Sequence, residues 1–168
     1  MRKRWSTEDN ALYVIGTIYG MCCKLAPSWD TPANFTNSCT MPLHYLDMFV
    51  DIASSKMTAC HKKYVNMALS YIAKIDTSRI ERPSLVMQGA YQLGYYAGKN
   101  GQYLKFLRLC KNLTQTELAD KSGVPFSSIC KFEYAQRDIK KANADTLSRI
   151  AKAIDCNIED LIGSDASD

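Results

Sequence analysis

The side chains that could bind a polyanion are concentrated in the second half of this chain. Residues 101–153 contain ten lysines and arginines and five acidic residues, a balance of +5, whereas residues 154–168 contain five acidic residues and no basic one. A basic segment of this kind suits a surface that contacts phosphates. An ordinary solvated surface explains the same charge equally well.

Cysteine and histidine side chains could support metal binding or catalysis, but their spacing favours neither. The seven cysteines include no Cys-x-x-Cys pair, and an odd number argues against a disulfide framework. We therefore expect a reducing cytosol and no cofactor. A metal site would have to use residues that match no zinc pattern, namely Cys22, Cys23, Cys39, Cys60 and His61. The only histidines are His44 and His61, and no phosphate loop or nucleophile elbow accompanies them, so we predict no enzyme.

Short helices with strong boundary signals must position the basic residues of the second half. The pattern predicts a first helix over about residues 102–111 and a third over 125–135. Asn112 and Gly123 tolerate the left-handed conformation that ends helices. The residues predicted to begin the later helices are Thr114 with Glu117 in a capping box, Pro125, Asn143 and Asn157.

These residues closely resemble the helix-turn-helix domain of the phage repressor family of Cro, cI and Xre proteins. The shared pattern is Leu113-Thr-Gln-x-Glu-Leu-Ala, then Ser-Gly-Val, the stretch from Ile129 to Glu133, and a final Leu-x-x-Ile-Ala-x-Ala-Ile. The resemblance covers residues 102–162 in order and spacing. It implies a five-helix, lambda-repressor-like domain whose third helix enters the major groove of DNA.

The same resemblance implies DNA contacts for particular side chains. Gln115 would contact a phosphate or an adjacent base. On the third helix, Lys131 could donate to guanine, Ser127 and Ser128 could pair with several bases, and Phe126 could press on a thymine methyl group. The candidates for phosphate contacts are Asn112, Thr114, Arg137, Lys140 and Lys141.

The family pattern also implies an ion pair between Arg108 on the first helix and Glu133 at the end of the third. Three features depart from the pattern. Pro125 stands where a capping serine or threonine is usual, Ala135 stands where glycine is common, and the loop over residues 136–142 is longer than usual. These departures leave open the alternative that the helix-turn-helix contacts a protein instead of DNA.

The first half has the pattern of about four helices and resembles no family that we recognise. Ser6 or Thr7 caps a helix that runs to about Leu25, whose apolar run is too short to span a bilayer. Prolines and a cluster of Asn, Thr and Ser predict a loop over residues 31–40. The remaining predicted helices are 43–53 capped by Thr40, about 56–75, and one opened by Ser84 that ends near Gly98 or Gly101.

Two of these helices carry small residues spaced four apart. Gly16 and Gly20 lie on the first helix, and Ala90, Gly94 and Gly98 lie on the last. Small residues at this spacing let helix backbones approach closely. The two helices either pack on each other inside one domain or form the seam of a homodimer.

The sequence as a whole predicts an all-α protein with two domains. Residues 1–99 form a helical domain for dimerisation, sensing or partner binding. Residues 100–163 form the helix-turn-helix domain, and residues 164–168 form an acidic tail.

The resemblance implies a sequence-specific transcriptional regulator, a repressor of phage or mobile-element type in the bacterial cytoplasm at the nucleoid. Its partners would be double-stranded DNA with a palindromic operator and a second copy of the chain, and no membrane. The alternative is a phage or mobile-element inhibitor, such as an anti-CRISPR protein or an antitoxin. Its first half would bind a protein target while the helix-turn-helix controls its own gene. The size of the first half motivates this alternative, because about 100 helical residues exceed what dimerisation needs.

Overall fold

The computed structural model describes residues 5–163, which form ten α-helices and no strand. The all-α prediction is confirmed. The chain divides into two compact units, and the boundary falls between Asn100 and Gly101. No helix in the described range is long and apolar enough to cross a membrane. The predicted acidic tail, residues 164–168, lies outside the described residues.

The described part of the first unit contains five α-helices instead of the four predicted. They are α1 (Thr7–Leu25), α2 (Pro32–Thr40), α3 (Pro42–Ala53), α4 (Ala59–Ile72) and α5 (Leu85–Lys99). Short 3-10 turns lie at Pro27–Trp29, Ser54–Lys56 and Thr77–Arg79.

Helix α1 is the centre of the first unit. Ser6 begins it with a capping box: its hydroxyl accepts from the Asp9 N–H and its own N–H donates to the Asp9 carboxylate, each at 3.0 Å. Every residue from Ala11 to Cys23 is buried, because α3, α4 and α5 pack around this helix. A helix that is apolar on nearly all sides is stable only when other elements cover it.

Helices α1 and α5 meet backbone to backbone in what we call the α1–α5 seam. A Cβ atom added at Gly16 would overlap the Tyr91 carbonyl oxygen, and one added at Gly94 would overlap the Tyr13 carbonyl oxygen. Only residues without a side chain allow this approach. The glycines of the seam are Gly16, Gly20, Gly94 and Gly98, and Ala90 is buried on the same helix. These residues therefore pack within one chain and are not open to a second copy.

The prediction of a loop over residues 31–40 is wrong, because these residues form α2. Thr31 caps this helix with its side chain, and Pro32 occupies the first turn, where its missing N–H costs nothing. Ser38 is fully buried, and its hydroxyl donates to the Phe35 carbonyl oxygen at 2.9 Å. The helix thus satisfies a polar residue that usually favours a loop.

The predicted cap of α3 and the predicted bounds of α4 are also wrong. Met41 instead of Thr40 occupies the N-cap of α3, and the Thr40 hydroxyl donates back to the Asn37 carbonyl oxygen of α2 at 2.9 Å. Helix α4 is shorter than the predicted 56–75, because Thr58 caps it with its side chain.

The second unit contains the five helices that the resemblance implies. They are α6 (Leu104–Cys110), α7 (Gln115–Ser122), α8 (Phe126–Glu133), α9 (Ala144–Ile154) and α10 (Ile158–Ile162), with a 3-10 turn at Ile139–Lys141. Helices α6 and α8 are each shorter than predicted. The side chains at the centre of this unit are completely or almost completely buried, namely Phe106, Leu107, Leu118, Ile129, Ile150 and Leu161.

Candidate nucleic-acid interface

A short turn joins α7 to α8 and fixes their relative direction. Gly123 ends α7 with a φ of 64°, a left-handed conformation that suits glycine. Its carbonyl oxygen accepts from Arg149 Nη1 of α9 at 3.1 Å, and Arg149 Nε also pairs with Asp145 at 3.0 Å. Sequence reasoning missed Arg149, because no local pattern links a side chain on α9 to a carbonyl 26 residues earlier.

Helix α8 has one side in the core and one at the surface. Ile129 and Phe132 are buried, as their helical spacing predicts. The side chains predicted to contact bases lie along the same helix: Phe126 is 50% exposed, Ser127 and Lys131 are exposed, and Ser128 is partly buried. This helix can therefore present an aromatic ring, a hydroxyl and an ammonium group to a ligand.

A buried set of hydrogen bonds, here called the Glu133 network, holds the end of α8. The Glu133 carboxylate has no exposed surface and accepts from Arg108 Nε at 2.5 Å and Arg108 Nη2 at 2.8 Å. Gln115 Nε2 donates to the same carboxylate at 2.8 Å, and Arg108 Nη1 donates to the Leu113 carbonyl oxygen at 2.7 Å. The network ties α6, α7 and α8 together. These hydrogen bonds offset the cost of burying the Arg108 and Glu133 charges only while both charged side chains are present.

Gln115 is engaged in this network. Its Nε2 donates to Glu133, and its Oε1 lies 3.7 Å from the Cys130 Sγ, within reach of a weak sulfur hydrogen bond. The side chain that the resemblance assigns to DNA thus positions α7 against α8. One consequence is that the N-terminus of α7 lies beside the C-terminal end of α8.

The residues before α7 form a tight cap. The Thr114 hydroxyl accepts from the Glu117 N–H at 3.1 Å and donates to Glu117 Oε2 at 2.9 Å, and the Thr114 N–H donates to the same oxygen at 2.7 Å. The hydrogen bond from the Thr114 backbone, followed by that from its hydroxyl, lowers the pKa of Glu117. A phosphate contact by the Thr114 hydroxyl would compete with this cap. Asn112 is exposed and adopts a φ of 55°.

Several cations lie on and just beyond α8. The Arg137 guanidinium is 5.4 Å from the centre of the Phe132 ring, which holds it close to the end of the helix. Lys140 and Lys141 are exposed in the 3-10 turn that follows. Across residues 5–163, no ion pair joins Lys131 or these three cations to a carboxylate. Their charge is available for a polyanion.

The departures from the family pattern have visible consequences. Ala135 adopts a φ of 54°, a conformation that glycine tolerates at lower cost. Pro125 occupies the N-cap of α8 and makes no side-chain hydrogen bond to it. Both ends of α8 therefore have weaker local signals than the family pattern provides.

The cysteines and histidines do not converge. Among the residues that the structure describes, no three or more His, Cys, Asp or Glu side chains are placed to hold a metal ion. Cys22, Cys23 and Cys39 are buried, and burial raises the pKa of the Cys22 and Cys23 thiols to about 12. His61 serves the cap of α4, where its Nδ1 accepts from the Thr58 N–H at 3.2 Å.

Comparison with known proteins identifies the second unit alone. A family model described as a helix-turn-helix matches residues 104–161, which is the range from the start of α6 into α10. No curated protein and no solved structure matches the chain. The resemblance to a Cro/cI-type domain is confirmed, and residues 104–161 are a DNA-binding helix-turn-helix of a regulator.

Proposed function

We propose that this protein is a sequence-specific transcriptional repressor of phage or mobile-element type that inserts α8 into the major groove of DNA. The observation that carries the proposal is the contrast between the two sides of this helix. The Glu133 network and the core hold the inner side rigidly, while Phe126, Ser127 and Lys131 stay exposed and the lysine has no acidic partner among residues 5–163. Base recognition needs side chains that are fixed by their scaffold and free at their tips.

Each exposed side chain has a role that follows from its chemistry. Lys131 donates to guanine, Ser127 and Ser128 pair with base edges, and Phe126 contacts a thymine methyl group. The phosphate contacts, which position the domain without specifying sequence, come from Asn112, Arg137, Lys140 and Lys141, and from Thr114 where a phosphate replaces the bond of its hydroxyl to Glu117. Gln115 holds α7 against α8 with one N–H of its amide, and the second N–H of the same group can donate to a phosphate or a base.

The repressor acts as a homodimer on a palindromic operator in the cytoplasm of a bacterial cell. Two helix-turn-helix domains related by a two-fold axis contact half-sites about one helical turn apart, roughly 34 Å. A second copy is therefore part of the proposed function.

Fluorescence anisotropy with DNA from immediately upstream of the protein's own gene tests this proposal. We expect the full-length protein to bind this DNA more tightly than scrambled DNA, and Lys131→Ala to weaken specific binding by about 1–3 kcal/mol. A salt series distinguishes the two classes of contact, because Lys140→Ala lowers the salt slope by about 1 for both DNAs.

Lys74→Ala is the matched control, because Lys74 is an exposed lysine just after α4 in the first unit. It removes the same charge and is expected to leave the preference for specific DNA unchanged. Equal binding of specific and scrambled DNA by the folded wild-type protein would contradict the proposal.

The second candidate function is an inhibitor, such as an anti-CRISPR protein or an antitoxin, whose first unit binds a protein target. In its favour, the first unit has its own core around α1 and an exposed apolar helix face. Full-length Lys131→Ala protein would then still inhibit a CRISPR nuclease or a toxin although it no longer represses its promoter. Repression without inhibition of any such enzyme would contradict this candidate.

A further inference from the structure

Helix α5 has an apolar face that no other described element of the first unit covers. Leu85, Val86, Leu93 and Tyr96 are 85%, 79%, 56% and 57% exposed. Together with Gly89 they occupy about 100° of the helix circumference at 3.6 residues per turn. We call these five residues the α5 outer face. They lie away from Gly94 and Gly98, which pack against α1.

The α5 outer face lacks the charges of a solvated helix surface. Between Leu85 and Gly98 the sequence contains no Asp, Glu, Lys or Arg. Lys99 closes the helix, and its ammonium group is held by Asp30 at 2.5 Å. An uncharged face of this size on a helix indicates a binding surface. Because it carries no charge, an identical face can approach it without repulsion.

No packing contact among the described residues of the first unit explains the glycine at position 89, in the middle of this face. A Cβ atom at Gly89 would meet no atom within 4 Å, whereas one at Gly16, Gly20, Gly94 or Gly98 would overlap a carbonyl oxygen. Glycine destabilises the interior of a helix relative to alanine. The four glycines of the α1–α5 seam offset this cost by allowing close packing, but no described residue of the first unit lies close enough to Gly89 to need the space.

The spacing of the large residues along α5 indicates which side chain could occupy the open space above Gly89. Val86, Gly89, Leu93 and Tyr96 are separated by three, four and three positions, a pattern that is the same from either end. An antiparallel second α5, related by a two-fold axis that crosses the outer face at the level of position 91, places Leu93 of each copy over Gly89 of the other. The same axis places Val86 over Tyr96. Leu93 then lies over the smaller Gly89 and Tyr96 over the smaller Val86, which lets the two helices approach closely.

We propose that the α5 outer face is the dimerisation surface of this protein, with two α5 helices packed antiparallel and Leu93 seated on Gly89 of the second copy. A two-fold contact of this kind uses the same patch on both partners. A parallel pair would set glycine against glycine and leave a gap. Standard interfaces bury about 800 Å² on each partner and have an apolar centre with a polar rim. In the proposed dimer, the four large side chains of the α5 outer face form the centre, and the residues that flank them form the rim. The inference rests on the dimer of the proposed function and names its surface.

Sedimentation equilibrium of the full-length protein without DNA tests the proposal. We expect twice the chain mass for the wild type and the single-chain mass for Leu93→Arg, whose arginine favours a helix as much as leucine does. Leu69→Arg is the matched control, because Leu69 is an exposed leucine on α4 at 42% exposure and lies off the proposed surface. It is expected to remain dimeric. Circular dichroism confirms that each variant is folded.

An exchange of positions tests the antiparallel register. Gly89→Leu alone and Leu93→Gly alone are each expected to weaken the dimer at least about tenfold in Kd. The double exchange Gly89→Leu with Leu93→Gly keeps the composition of the helix, restores a large residue over a glycine, and is expected to recover the dimer. A wild type with the single-chain mass, or a Leu93→Arg variant as dimeric as Leu69→Arg, would overturn the surface. A double exchange no better than the single variants would overturn the register. None of these measurements contains DNA, so a failure of the proposed dimer surface can be distinguished from a failure of the proposed DNA binding.

Discussion

The two units of this protein fix their helices in different ways. In the first unit, the α1–α5 seam brings two backbones together at glycines, and its precision comes from the absence of side chains. In the second unit, the Glu133 network joins three helices through a buried carboxylate, and its precision comes from directed hydrogen bonds. The seam is therefore sensitive to added volume, whereas the network is sensitive to the loss of one charge.

Loss of one charge from the Glu133 network should have the largest effect. Arg108→Met leaves a carboxylate buried without its ion-pair partner, so we expect α8 to lose about 3–5 kcal/mol of stability. Hydrogen exchange of the α8 amides measures this loss. The double variant Arg108→Met with Glu133→Leu buries no charge and should lose less than Arg108→Met alone. An equal or larger loss in the double variant would show that the ion pair is not what holds the helices.

Added volume in the α1–α5 seam should have the next largest effect. Gly94→Ala places a methyl group against the Tyr13 carbonyl oxygen, so we expect a loss of about 3 kcal/mol in the free energy of unfolding. Urea unfolding followed by tryptophan fluorescence reports on the first unit, because Trp5 and Trp29 are the only tryptophans. Both substitutions are made in the Leu93→Arg protein, which removes the proposed dimer, so that Gly89→Ala is the control and should change the stability by about 1 kcal/mol or less. Equal losses in the free energy of unfolding for Gly94→Ala and Gly89→Ala would contradict close backbone packing at the α1–α5 seam.

A gain in stability is expected when the strained residue just after α8 is replaced by glycine. Ala135 adopts a φ of 54°, so Ala135→Gly should stabilise the second unit by up to about 1 kcal/mol. The control is Ala142→Gly, because Ala142 has a φ of −71° and a ψ of 151°, which alanine adopts without strain. There glycine should cost about 0.4–1 kcal/mol through the entropy of the unfolded chain. Thermal unfolding distinguishes the two, and a loss at both positions would argue against strain at residue 135.

The smallest effect concerns the cap of α7. Hydrogen bonds from Thr114 lower the pKa of Glu117 below its ordinary value of 4.5. The ionised carboxylate therefore contributes stability above that value, and the contribution disappears as the pH falls through the lowered pKa. We expect wild type to exceed Glu117→Gln in stability at neutral pH and the difference to vanish in acid. A difference that persists below the lowered pKa would show that the charge of Glu117 does not matter.

Local signals explain why much of the second unit could be predicted from the sequence. The cap by Thr114 and Glu117 and the left-handed Asn112 and Gly123 depend on residues within three or four positions of each other. Such patterns can be recognised without knowing the fold. The same reasoning failed for α2, because the Asn, Thr and Ser residues that suggest a loop are tolerated there once Ser38 is buried against the rest of the unit.

Contacts between distant residues could not be predicted in the same way. Four-residue spacing indicated that Gly16 and Gly94 face a close neighbour, but the spacing is equally compatible with one chain or two. The bond from Gln115 to Glu133 and that from Arg149 to Gly123 each join residues that only the packing of helices brings together. The sequence predicted a role in DNA binding for Gln115, whereas the structure adds the contact that positions it.

The most direct test of sequence recognition by α8 is methylation interference on the upstream DNA, which places methyl groups on guanine N7 in the major groove. We expect interference at guanines in two half-sites about one helical turn apart. With Lys131→Ala, the guanine that this lysine contacts should cease to interfere in both half-sites while the others continue. Identical interference for wild type and Lys131→Ala, or none at any guanine, would contradict the assignment of base recognition to this helix.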